Sequence, residues 1–168
     1  FAFLVTDLVN RLQGAAAARR VVLAGFAAGV VCSSIGTQII GEFGPLVTLR
    51  IALGSGLAFL VAQLLDVAVF NRLRSGNWWR APLVSTLVSS SVDTAIFFTM
   101  AFSALLSFIE PANDVSWATG PTPLFGLGPE APFWVSLALA DWLVKLLLAI
   151  VALLPFRLMV ARAIARVA

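Results

Sequence analysis

Five charged side chains stand inside apolar runs of this chain: Arg50, Asp66, Asp93, Asp141 and Lys145. Insertion scales put such a residue at the centre of a helix in hydrocarbon at about 2.5–3.5 kcal/mol, so it tends to face a bundle interior or a water-filled cavity. Helical spacing sorts these residues onto faces. Ser85, Ser89, Asp93, Phe97 and Met100 form one stripe, with Ser90 and Thr94 beside it. Gly56, Phe59, Gln63, Asp66 and Phe70 form a second, and Trp134, Ala138, Asp141 and Lys145 a third. Each stripe sets a carboxylate near hydroxyl, amide or aromatic groups. That combination suits recognition of a small polar molecule that donates hydrogen bonds and offers a face for stacking.

Each group also has a purely structural reading. Asp141 and Lys145 are four apart and can neutralise one another. Ser89 and Ser90 can bond the carbonyls of their own helix. Arg50, near the start of its run, suits snorkelling or helix pairing. Asp66 lies close enough to Arg72 and Arg74 to pair with one of them. Asp93 has no cation within four residues on its own helix, which singles it out as a carboxylate kept free for a ligand. Asp93 is twelve positions past Ala81, roughly 18 Å along a helix, and Asp141 eight past Phe133, roughly 12 Å. If the two helices run in opposite directions, both carboxylates come near mid-span, where substrate sites of many secondary transporters lie.

The elements that position these residues are legible from hydropathy. Of 168 residues, 61% are hydrophobic and 11% charged, and mean hydropathy is +1.02. A soluble domain carries about 25% charged residues, and so small a globule cannot hide this apolar excess. Apolar stretches over Val21–Ile40, Leu46–Phe70, Ala81–Ile109 and Phe133–Leu154 each hold the roughly 20 residues that cross a bilayer, and lipid demands that they be helical. Phe1–Val9 reads as the end of another such helix. Gly41-Glu42-Phe43-Gly44-Pro45 is a tight turn. Glu110–Pro132 is a longer loop rich in Pro and Gly, with Trp117 and Trp134 suited to an interface. Gly25-x-x-x-Gly29 is a close-packing pattern, better matched to a helix of the same chain than to a dimer.

Arginines set the expected topology. Arg11, Arg19 and Arg20, then Arg72, Arg74 and Arg80, then Arg157, Arg162 and Arg166 occupy alternate connections, and the intervening loops carry only acids. By the positive-inside rule the basic segments and the C-terminus are cytoplasmic. Pro155 is expected to kink the last helix and leave Arg157–Arg166 as an amphipathic tail on the inner surface, beside an interfacial Asn77-Trp78-Trp79-Arg80.

Several function classes find no support. The net charge of +3 is split among separate clusters rather than gathered on one nucleic-acid-binding face. There is no histidine and a single cysteine, Cys32, so metal and nucleophilic chemistry have little to draw on. No G-x-x-x-x-G-K-[ST] loop is present. An aspartyl protease pair of Asp93 and Asp141 is the one enzymatic rival.

The chain resembles the queuosine precursor transporters, a vitamin-uptake-like family of bacterial membrane proteins. The resemblance runs through Thr6-Asp7-Leu8 with Arg11 and Gly14, Ala18-Arg19-Arg20, and Arg50-Ile51-Ala52. It continues through Gln63-x-x-Asp66-x-x-x-Phe70-Asn71-Arg72-Leu73-Arg74, Trp78-Trp79-x-Ala81-Pro82 and Ser85-Thr86-Leu87. It ends with Asp93-Thr94-x-x-x-Phe98, Asp141-x-x-x-Lys145 and Leu154-Pro155. It implies an all-α polytopic transmembrane bundle, with six helices in the intact protein, the first missing and the second partial here. It also implies uptake of 7-substituted 7-deazaguanine bases.

The expectation is therefore a single transporter domain over residues 1–168, multi-pass in the bacterial cytoplasmic membrane, with no cofactor, no nucleic-acid partner and no enzymatic activity. Asp93, Gln63, Asp141, Lys145, Asp66, Ser89, Phe97, Phe98 and Trp142 are the expected substrate-binding residues. A carboxylate accepts the adjacent N–H donors of a guanine-like edge, Gln63 serves the neighbouring carbonyl, and Phe97, Phe98, Phe102 or Trp142 stacks on the base. An aminomethyl substituent would engage a spare acid, Asp66 or Asp141. A substrate-binding subunit served by a separate ATPase, and a scaffold whose charges only pair helices, are the alternatives.

Overall fold

A computed structural model describes residues 2–42 and 44–165. Helices dominate: α1 (Ala2–Gln13), α2 (Ala15–Gln38), α3 (Leu49–Leu73), α4 (Arg80–Phe102), the short α5 (Ser116–Thr119) and α6 (Phe133–Ala165). Of these, α2, α3, α4 and α6 are long and apolar enough to cross a membrane. Phe1, Phe43 and Arg166, invoked in the expected first helix, turn and tail, lie outside the described residues.

Burial is arranged for lipid. On α3 the inward face is Arg50, Gly54, Ala58, Ala62, Gln63, Asp66, Val67 and Phe70, while Leu53, Leu57, Val61 and Leu64 are exposed. A soluble helix would place those leucines inside. In a bilayer they face acyl chains, and small residues draw the helices together. Gly54, Ala58 and Ala62 are such a series, one turn apart on α3. A Cβ added at Gly54 would stand 3.0 Å from Met100 Cβ and 3.5 Å from the Phe97 carbonyl of α4. Gly25 of α2 likewise admits Phe59 of α3, whose Cζ would lie 3.3 Å from an added Cβ, so the expected packing within the chain holds there; Gly29 touches nothing within 4 Å.

Several boundaries differ from the hydropathy reading. Arg19 and Arg20 lie within α2, which starts at Ala15 rather than Val21. Arginine is a good helix former, so the helix continues where hydropathy fades. The connection from α1 shrinks to Gly14, whose φ of 88° suits a residue without Cβ. α4 ends at Phe102 rather than Ile109, because Ser103 turns extended and its side chain accepts from Leu105 N; Ala104–Ile109 then forms a 3-10 turn. α6 continues through Pro155 to Ala165. At 33 residues it is roughly 50 Å long, more than a hydrocarbon core of about 30 Å, so its basic end projects beyond the span without any break. There Arg157 stacks over Trp78, 5.0 Å from the ring centre.

The connections opposite this basic end are compact. Antiparallel β1 (Ile40–Gly41) and β2 (Gly44–Pro45) form the expected tight turn, and β3 (Pro121–Pro123) pairs with β4 (Glu130–Pro132) in the longer loop. Asp114 accepts from Ser116 N at 2.8 Å and Ser116 Oγ at 3.1 Å, which holds its carboxyl below the usual carboxylate range. Glu110 Oε2 accepts from Arg50 N, and Asn113 donates to Thr48 Oγ1, tying this loop to the start of α3.

Candidate substrate site

Polar groups gather at three places in the bundle. At the end of α4, Arg50 is wholly buried; its Nε donates to the Met100 carbonyl at 3.1 Å and its Nη2 to the Ser103 carbonyl at 2.7 Å. It thus pairs α3 with the last turn of α4, where helix carbonyls lack intrahelical partners and the dipole favours a cation. Snorkelling does not describe it.

The second place joins α4 to α6. Lys145 Nζ donates to Asp93 Oδ2 at 2.7 Å, to Asp141 Oδ2 at 2.5 Å and to Thr94 Oγ1 at 3.1 Å. Thr94 Oγ1 in turn donates to Asp141 Oδ2 at 2.8 Å. The expected i,i+4 pair is present. Asp93, however, is not free: its cation arrives from a neighbouring helix, which same-helix spacing cannot reveal. Nor does Asp93 share a face with Ser85 and Ser89. A four-residue step advances about 40° around a helix, so Asp93 has turned about 80° from Ser85 toward α6. Lys145 between the two acids also leaves no bare Asp93–Asp141 pair for protease chemistry.

The third place, among α1, α3 and α4, holds the residues that hydropathy missed. Thr6, Asp7 and Asn10 of α1 are buried against Gln63 and Asp66 of α3 and Ser85 and Ser89 of α4. Thr6 Oγ1 lies 3.0 Å from Gln63 Oε1, Asn10 Nδ2 donates to the Val67 carbonyl at 3.0 Å, and Ser89 Oγ donates to Asp66 Oδ1 at 3.0 Å. Asp66 therefore bonds Ser89 rather than Arg72 or Arg74. Asp7 and Asp66 are neighbours here, near Ser85. Asp7 Oδ1 and Asp66 Oδ2 are buried without a donor. The missed signal was an acid in the apolar run Phe1–Val9, too short to read as a span by itself.

A cavity of about 210 Å³ opens between α1, α4 and α6. Asp7, Thr86 and Lys145 give it polar points, and Phe3, Pro82 and Phe156 are among its apolar walls. Drug-sized ligands occupy about 300–1,000 Å³, so an occupant here is smaller. Phe97, Phe98 and Trp142 line none of its walls. The two phenylalanines pack edge to face at 5.2 Å within a cluster that extends through Phe102 to Trp117, and Trp142 Nε1 donates to Ser91 Oγ at 2.9 Å.

Asp7 and Lys145 thus share a cavity walled largely by apolar side chains. The profile of a family described as "Putative vitamin uptake transporter" matches residues 1–160. The chain belongs to that family. Among its relatives, the queuosine precursor transporter of Escherichia coli (strain K12) is 36% identical over 167 residues, covering 92% of this chain and 66% of that protein. The probable queuosine precursor transporter of Haemophilus influenzae is 32% identical over 166 residues, with 92% and 62% covered. One from Bacillus subtilis is 35% identical over 120 residues, 60% of this chain and 52% of that protein. The chain thus spans somewhat under two thirds of the length of the first two relatives. No solved structure matches it.

Proposed function

We propose that this chain is the helical core of an importer of queuosine precursors, 7-substituted 7-deazaguanine bases, in the bacterial cytoplasmic membrane, with its basic segments and C-terminus on the cytoplasmic side. The base sits in the cavity between α1, α4 and α6. The observation that carries this reading is Asp7, a buried carboxylate on the wall of that cavity that no salt bridge among the described residues engages. Its carboxylate accepts an N–H donor of the guanine-like edge, and the Thr86 hydroxyl meets the neighbouring carbonyl. Phe3, Pro82 and Phe156 enclose the ring faces. Lys145, with its three N–H bonds already engaged, holds α6 against α4 and keeps the cavity wall in place. Asp93 and Asp141 act through that lysine, and Gln63 and Ser89 pack behind Asp7.

Equilibrium binding of 7-aminomethyl-7-deazaguanine to the detergent-purified protein tests this assignment. Asp7→Asn keeps the volume but sets a donor against a donor. Its loss of about 2–4 kcal/mol corresponds to roughly 30- to 1,000-fold weaker binding. Equal affinity in a folded Asp7→Asn protein would remove Asp7 from the site.

A further inference from the structure

We infer that the corner where α1, α2 and α3 meet binds the phosphate of an anionic phospholipid, in the leaflet on the basic side of the bundle. Arg11 and Gly14 stand in one run of residues singled out in the sequence, and Asn71 and Arg74 in another far along the chain; the substrate cavity uses none of them. The fold brings the two runs together. Arg11, half-buried at the end of α1, donates from Nη1 to the Arg74 carbonyl at the end of α3. The Arg74 guanidinium lies over Gly14, between α1 and α2: a Cβ added at Gly14 would stand 3.9 Å from Arg74 Nη1. Arg74 itself is exposed, and its bond from Nη1 to Asn71 Oδ1 is long, at 3.4 Å.

Two guanidinium groups thus share a corner without a counter-ion. Both salt bridges among the described residues belong to Lys145. Asp7, the acid closest to Arg11 along the chain, lines the cavity between α1, α4 and α6. Arg19 and Arg20 in the first turns of α2 and Arg72 in the last turn of α3 are further exposed cations. The bonds above engage one nitrogen of each group, whereas a guanidinium carries five N–H donors in a fork that matches phosphate oxygens. An anion between the two groups offsets their mutual repulsion.

The level of the corner selects a lipid over a soluble anion. It lies where α1 and α3 end, on the side of the bundle that carries Trp78, Trp79 and Arg80, at headgroup depth. Val5 and Leu12, seven residues apart on α1 and both exposed, form an apolar stripe running from the corner toward mid-span, along which an acyl chain fits. A zwitterionic headgroup would bring an ammonium to a corner with no carboxylate, whereas an anionic one brings only the charge that the arginines attract. The bound phosphate ties α1 to α3 and so steadies the helix that carries Asp7.

Native mass spectrometry of the detergent-purified protein, titrated with phosphatidylglycerol or with phosphatidylcholine of the same acyl chains, tests this. The wild type should prefer the first phosphatidylglycerol by roughly 30-fold, about fivefold for each of the two arginines, a readout that needs no variant. Arg74→Gln, at an exposed side chain, should lose about fivefold of that preference, and adding Arg11→Gln should leave the two lipids bound alike. Arg162→Gln, on α6, should bind like wild type. Phosphatidylglycerol should also raise the thermal midpoint of the wild type more than that of Arg74→Gln. No preference in the wild type would overturn the site. Equal losses in Arg162→Gln and Arg74→Gln would overturn it too, by showing diffuse surface charge. Inorganic phosphate that stabilises the wild type as well as phosphatidylglycerol does would overturn the assignment to a lipid.

Discussion

At the scale of single residues, Lys145 shows what spacing reveals and what it hides. Its bond to Asp141 is legible because i and i+4 meet on any helix. Its bond to Asp93 depends on how α4 and α6 pack, which no local pattern encodes. The three side chains retain 26%, 21% and 35% exposure, so the cost of breaking the node falls short of the 3–5 kcal/mol of a fully buried pair. Lys145→Met should lower stability by about 1.5–3 kcal/mol, the range for hydrogen bonds to charged groups, and adding Asp93→Asn should recover part of it. Thermal unfolding of both proteins in detergent measures this, and a double variant no better than the single would deny the coupling. Asp7 escaped the hydropathy reading for a different reason. It sits about 9 Å from the end of a twelve-residue helix, and only packing against other helices buries it.

At the scale of elements, the apolar runs located all four long helices, yet helix ends answered to hydrogen bonds rather than hydropathy. Ala104–Ile109 is as apolar as a span, but Arg50 takes the carbonyls of Met100 and Ser103 and the helix stops at Phe102. Arg50→Met should therefore cost about 2–4 kcal/mol, two charged-donor bonds at a buried helix end. Unfolding in detergent would show it, and a change below about 0.5 kcal/mol, the range of ordinary surface substitutions, would mean that α4 needs no cap there. The series Gly54, Ala58, Ala62 was as visible in the sequence as Gly25-x-x-x-Gly29, and its Gly54 lies against Met100 and the α4 backbone. Gly54→Val would drive a branched side chain into Met100 and the α4 backbone, for an expected loss of about 1–3 kcal/mol. Gly29→Val, at a position with nothing within 4 Å, should change stability little by the same measurement.

At the scale of the whole molecule, one set of ends carries Arg74, Arg80 and Arg157 and the other carries Glu110 and Asp114, so the bundle has an electrical polarity across the membrane. With Cys32 replaced by alanine, a cysteine at Ser75 should be labelled only from the cytoplasmic side. One at Leu127, which is 97% exposed, should be labelled only from outside. Labelling of both from the same side would contradict the orientation. The polarity, the span count and the family were legible in the sequence; the cavity was not, because its walls come from three helices that touch only in the folded bundle. The most direct test of the importer reading is counterflow of labelled 7-aminomethyl-7-deazaguanine into liposomes containing the full-length protein and no ATPase or other subunit. The account predicts saturable entry that excess unlabelled base suppresses and that Asp7→Asn greatly weakens. Entry no faster than in protein-free liposomes, or entry appearing only when an ATP-hydrolysing partner is added, would contradict it.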